Sequence, residues 1–157
     1  MSDRWHNHFL NLCVEHARVS KDPSTQVGSV IVGPLREIRA TGFNGLPRGI
    51  ADTAERLNDR ETKLNLIVHA KQNAICAAAR IGVPLEGSTL YLAATDDTGA
   101  IWGGPPCCRC TVHAIQAGIR RIVSRPVKAV PSKWHADLIV SRELLVEAGV
   151  EYVEVAA

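Results

Sequence analysis

From His69 to the end of the chain, helix-forming and strand-forming stretches alternate, and this order constrains the fold more than any other feature. His69 to Ile81 is built from strong helix formers: Ala70, Lys71, Gln72, Ala74, Ala77, Ala78, Ala79 and Arg80. Gly82 stops that helix and Pro84 lies just beyond. Thr89 to Ala93 is a strand, and Thr95 to Gly104 is a polar, Gly-containing loop with one tryptophan, Trp102. Pro105-Pro106 leads into a helix from about Cys107 to Ala117, closed by Gly118. Ile119 to Val123 is a strand, Ser132 to Ala148 contains a helix stopped by Gly149, and Val150 to Val155 alternates as a last strand. Strands alternating with helices favour right-handed crossovers. Earlier, Trp5, Phe9, Leu12, Cys13 and His16 make one helical face within Asp3 to Val19. Val27 to Val32 and Glu37 to Phe43 then form an antiparallel hairpin. The pattern predicts a layered α/β fold. Leu46 to Leu66 is charged and irregular, read either as a solvated loop with a helical turn or as a phosphate-binding rim.

A chain of 157 residues is expected to be one domain, 1–157, able to bury a core without disulfides. Net charge is +2, so no global bias favours nucleic acid or a membrane surface. No apolar run approaches the ~20 residues a membrane helix needs. The start, Met1-Ser2-Asp3-Arg4-Trp5, lacks a signal-peptide plan, and a cytoplasmic location is expected. Cysteines number five, three of them packed into Cys107, Cys108 and Cys110. An odd, clustered set reads as metal ligands in a reducing compartment rather than as a disulfide framework.

His69, Cys107 and Cys110 are the candidate ligands. Three protein ligands leave a zinc ion an open fourth position, the mark of a catalytic site. His69 and Cys107 each begin a helix, where positive partial charge and free N–H groups favour the thiolates zinc needs. Cys107 and Cys110 are three residues apart, so one helical turn sets both sulfurs on one side, while Cys108 points elsewhere. Zinc so held would lower the pKa of a bound water toward ~7. Two rival arrangements stay open: His113 closing a four-ligand structural site, and a second metal at Cys13 and His16 or at His6 and His8.

The residues around this triad resemble zinc deaminases, whose signature is H-x-E…P-C-x-x-C with the Glu as proton shuttle. Every element is present except the Glu, where Lys71 stands. The resemblance is to deoxycytidylate (dCMP) deaminases and covers nearly the whole chain, in order. It runs through Ser20-Lys21-Asp22-Pro23-Ser24-Thr25-Gln26-Val27-Gly28, Gly42-Phe43-Asn44-Gly45-Leu46-Pro47-Arg48-Gly49, His69-Ala70-Lys71-Gln72-Asn73-Ala74-Ile75, and Ala114-Ile115-Gln116-Ala117-Gly118-Ile119. It implies a cytidine-deaminase fold, a five-stranded mixed sheet between layers of helices, and zinc-dependent hydrolysis of dCMP to dUMP and ammonia. By the same resemblance His69, Cys107 and Cys110 would hold Zn2+. Asn44 would contact the sugar hydroxyl, Val27 would pack on the base, and the backbone around Ala70 would face the pyrimidine edge. Lys21, Ser24 and Thr25, with Lys133 and His135, are candidates for the 5′-phosphate region. Gly42, Phe43, Gly45 and Arg48 would lie near a regulatory site for dCTP or dTTP, with Mg2+ accompanying the triphosphate. A homo-oligomer is implied, a hexamer above other states. Gln26, Trp102 and the long loop before the cysteines are candidates to line the position of a 5-substituent.

Lys71 is the departure with chemical consequence. The reaction needs one group to take a proton from the attacking water and pass it to the ring nitrogen and the leaving amine. A protonated ammonium has no lone pair to accept with. Loss of such a group costs on the order of 10²–10⁴-fold, so the chain is expected to be nearly inactive with its fold and pocket retained. A nucleotide-binding pseudoenzyme or regulator, and a tRNA or other nucleic-acid deaminase, are the alternatives.

Overall fold

The computed structural model describes residues 2–127 and 132–156, without the side chains of Ser132, Lys133 and Trp134. Helix α1 (Asp3–Ala17) precedes a hairpin of β1 (Thr25–Val32) and β2 (Ile38–Phe43). Two short helices, α2 (Ala54–Asn58) and α3 (Arg60–Leu66), lead to α4 (Ala70–Ile81). Then follow β3 (Thr89–Asp96), β4 (Ile101–Trp102), α5 (Cys108–Gln116), β5 (Arg121–Ser124), α6 (Ser132–Glu147) and β6 (Glu151–Glu154). The sheet order is β2-β1-β3-β5-β6, with β4 added at the end of β3. β1 is antiparallel to both β2 and β3, whereas β3, β5 and β6 run parallel. The sheet is therefore mixed, as expected, and its parallel half is the part whose strands are separated by single helices.

Period-two alternation assigns the strand residues to two cores. Val30, Val32, Tyr91 and Ala93 face α1 and pack with Phe9, Leu10, Cys13 and Val14. Ile31, Leu90 and Leu92 face the other way, onto Ala74 and Ala78 of α4, Ala114 of α5 and Leu145 of α6. Both faces of β3 are covered, so its residues from Leu90 to Thr95 are buried without interruption. Small residues set the layer spacing. A Cβ on Gly28 would lie 1.9 Å from the Cys13 carbonyl oxygen, so α1 rests directly on the β1 backbone.

Two stretches are more ordered than their sequence suggests. In 46–66, Thr53 and Asp59 act as N-caps: Thr53 Oγ1 accepts from the Arg56 N–H and Asp59 Oδ1 from the Thr62 N–H. In the loop after β3, Asp96 Oδ1 accepts the N–H groups of Thr98 and Ala100, which turns the chain so that Ile101 and Trp102 pair back with Thr95 and Ala94. This adds a sixth strand to the expected five. At two residues it is too short to show any periodicity.

Gly28→Ala should lower stability by about 1–3 kcal/mol through overpacking, read as a reduced urea midpoint with an unchanged m-value.

Candidate metal centre

The first turn of α4 is held in place by backbone contacts before any ligand is considered. Ser29 Oγ on β1 donates to the Ala70 carbonyl at 2.9 Å, and Asn73 Nδ2 donates to the Phe43 carbonyl at 2.9 Å. A Cβ on Gly42 would stand 2.4 Å from the Ala70 oxygen and 2.5 Å from the Ala74 nitrogen, so only glycine lets α4 approach β2 this closely. Gly45 and Val68 exchange backbone hydrogen bonds at 3.2 and 2.9 Å, fixing the residue before His69. His69 is the N-cap of α4, and its own N–H is met by Gln72 Oε1. Cys107 is the N-cap of α5, with Cys110 in its first turn.

This arrangement brings together what the sequence separates. His69 Nδ1 lies 3.3 Å from Cys110 Sγ and 3.4 Å from Cys107 Sγ. Tetrahedral zinc at the usual bond lengths of ~2.0 Å to nitrogen and ~2.3 Å to sulfur spaces such atoms about 3.6 Å apart. The donor set and its spacing fit zinc. The Cys110 thiol lowers the pKa of Cys107 through their hydrogen bond, with burial opposing and His69 assisting. Cys110 is pushed up by that same bond and by burial. Zinc needs both sulfurs as thiolates, so metal uptake would release the proton that the pair shares. Among the described residues, these three form the only group of three or more metal-ligand side chains converging on one point. His113 does not join them; it is exposed and bonds the Arg109 carbonyl of its own helix. The His6 ring meets the Tyr91 hydroxyl, and Cys13 is fully buried in the core. Cys108 Sγ turns away, donating to the Asp137 carbonyl.

Lys71 sits in the first turn of α4, only 8% exposed, with no ion pair among the described residues. Its charge favours the thiolate forms of Cys107 and Cys110. A cation at a helix N-terminus opposes the macrodipole.

Several of the other predicted site residues are joined by hydrogen bonds through Asn44. Asn44 is buried; its Oδ1 accepts from the Val27 N–H at 2.7 Å and its Nδ2 donates to the Thr25 carbonyl at 2.9 Å. Ser20 Oγ donates to the Asn44 carbonyl. Ala70 is fully buried at the helix start. Lys21 is exposed and paired with Asp52 at 2.8 Å. Phe43, Gly45 and Arg48 line a groove of about 290 Å³ that also includes Lys21, Asp22 and Asp52, whereas Gly42 faces α4. Gln26 Nε2 is engaged by the Ser20 carbonyl, and Trp102 is half-buried on β4. His135 is exposed on α6, and the Lys133 side chain lies outside the described residues.

Two residues were missed. Asp22 is buried and accepts from the Ser24 N–H and hydroxyl, the Thr25 N–H and Lys63 Nζ. Burial alone would raise its pKa, but these donors outweigh it and lower it. The Asp22-Pro23-Ser24 order is a signal for such a side-chain-to-backbone turn. Lys63 reaches the same carboxylate at 3.1 Å and Ser24 Oγ at 2.8 Å, so the 46–66 segment docks on the 20–25 turn. No local pattern in the sequence marks that long-range contact.

Residues 3–125 match the family model for the cytidine and deoxycytidylate deaminase zinc-binding region. A deaminase encoded in the luxG 3′ region of Aliivibrio fischeri is 34% identical over 152 residues, 96% of this chain and 93% of that protein. Mouse deoxycytidylate deaminase is 33% identical over 126 residues, 76% of this chain but 63% of the mouse protein. Among solved structures, the dCMP deaminase of cyanophage S-TIM5 in complex with dCMP and dUMP superposes with a TM-score of 0.72, covering 97% of each chain at 21% identity. That likeness bears out the fold expected from the sequence.

Gly42→Ala should push the start of α4 away from β2, displacing His69. The expected result is a zinc affinity lowered by about 10–100-fold, measured by chelator competition. Cys110→Ser should abolish stoichiometric zinc in the purified protein, read by elemental analysis. The converged ligands and the matched region together show that the chain belongs to the cytidine and deoxycytidylate deaminase family.

Proposed function

We propose that this chain is built for hydrolytic deamination of a deoxycytidine 5′-monophosphate, plain or 5-substituted, and that Lys71 leaves it with little activity. The observation that carries the reading is the convergence of His69, Cys107 and Cys110 on one point in a chain of this family. Zinc held there would activate water as a nucleophile at neutral pH. The chain's own residues have the remaining tasks. Val27 and the Ala70 backbone flank the base, and the Asn44 side chain, immobilised by Val27 and Thr25, borders the sugar. Lys21, Ser24 and Thr25 lie on the turn assigned to the phosphate.

Proton transfer is the missing task. Lys71 occupies the position assigned to the carboxylate shuttle, and its ammonium can donate but not accept. Two thiolates and one dication are neutral together. A charged Lys71 leaves the site at +1, where a carboxylate would leave it at −1 and able to take up a proton. Lysine is also longer than glutamate and ends in a tetrahedral nitrogen, so even a neutral amine would miss the carboxylate's place. The same reading puts a regulatory dCTP or dTTP, with Mg2+, in the groove lined by Phe43, Gly45 and Arg48. It also makes the working form a homo-oligomer, a hexamer above other states.

Lys71→Glu should raise dUMP formation from dCMP by about 10²–10⁴-fold over the unaltered chain. It should also stabilise the helix start by about 0.3–1 kcal/mol. A zinc-loaded Glu form with no turnover of dCMP or 5-substituted dCMP would sink the deaminase reading. Tight dCTP or dTTP binding by that inactive form would favour a nucleotide-binding regulator instead.

A further inference from the structure

Both helices of the metal centre start on a residue whose side chain is used as a ligand. A helix start usually satisfies its free N–H groups with a Ser, Thr, Asp or Asn at the N-cap. Cys107, the N-cap of α5, makes no such side-chain bond because its sulfur faces His69. The acceptor comes from another helix. Asp137 of α6 takes the Cys108 N–H on Oδ2 at 3.1 Å, and its carbonyl takes the Cys108 thiol at 3.0 Å. One turn along α6, the fully buried Ser141 hydroxyl meets the fully buried Thr111 hydroxyl at 2.7 Å. Thr111 N–H and Cys110 N–H both bond the Cys107 carbonyl at 2.9 Å. The turn carrying both sulfurs is therefore gripped by α6 at each end. Helix α6 lies beyond residues 3–125, the region the family model matches.

We propose that Asp137 and Ser141 are positioning residues for the metal-ligating cysteines. Asp137 satisfies the free Cys108 N–H in the first turn of α5, and its negative charge suits the positive end of that helix. Ser141 locks the following turn through Thr111. Without this clamp the first turn of α5 frays, and Cys107 and Cys110 no longer hold a fixed separation facing His69.

This inference rests on the metal-centre reading, and the test separates the two. Zinc affinity is measured by competition with a chromophoric chelator on the full chain and on Asp137→Ala, Asp137→Asn and Ser141→Ala, with Val146→Ala on the exposed side of α6 as a control. Cobalt(II) is loaded in parallel, and its sulfur-to-metal charge-transfer and d–d bands report the geometry of the ligands. Asp137→Ala should lose about 10–100-fold in zinc affinity and weaken the d–d bands. Asp137→Asn, which keeps an acceptor oxygen, should recover most of both. Ser141→Ala should show a smaller loss in the same direction, and Val146→Ala none. Unchanged affinity and spectra in both Asp137→Ala and Ser141→Ala would overturn the positioning role while leaving the centre standing. A loss equalled by Val146→Ala would likewise overturn it. Failure of the unaltered chain to bind either metal would overturn the centre itself and this role with it.

Discussion

The structure depends on two helix N-termini meeting at one point. Each helix begins on a metal-ligand residue, His69 for α4 and Cys107 for α5, and the ligand atoms come within 3.4 Å of each other. Helix starts offer free N–H groups and positive partial charge, which favour thiolate over thiol. They also need acceptors. Cys107 turns its side chain to His69 and makes no cap bond, so α5 relies on another residue for an acceptor. Gln72 supplies one within α4, and Asp137 supplies one to α5 from α6.

Convergence on this scale requires the layers to be close and fixed. Glycines at 28 and 42 let α1 and α4 lie against the sheet backbone, on opposite faces. Ser29 and Asn73 then tie α4 to β1 and β2 by single hydrogen bonds at the end that carries His69. The 20–26 turn, the end of β2 and the segment before α4 are joined through Ser20, Asn44, Gly45 and Val68 into one hydrogen-bonded floor. Lys71 is buried in the first turn of α4, where its charge opposes the helix dipole although it favours the thiolate forms of Cys107 and Cys110.

Much of this was legible in the chain. The order of elements after His69 and the hairpin before it followed from periodicity and helix stops, and the ligand trio from the C-x-x-C spacing together with the resemblance to zinc deaminases. Those signals are local, and the physics that writes them is local too. What stayed hidden is long-range or very short. The Lys63–Asp22 pair joins distant segments by one side chain, and β4 is two residues held by an Asp96 turn. The α6 clamp on α5 is likewise invisible, because Asp137 and Ser141 look like ordinary polar residues of an exposed helix until the fold sets them against Cys108 and Thr111. Asn44 was expected beside a ligand, and its amide is also a structural staple between β1 and β2.

The most direct test of the account is zinc K-edge X-ray absorption on the purified chain. The expected result is two sulfur scatterers at ~2.3 Å and one imidazole nitrogen at ~2.0 Å. A shell of three or four sulfurs, a second imidazole, or no bound zinc would contradict it.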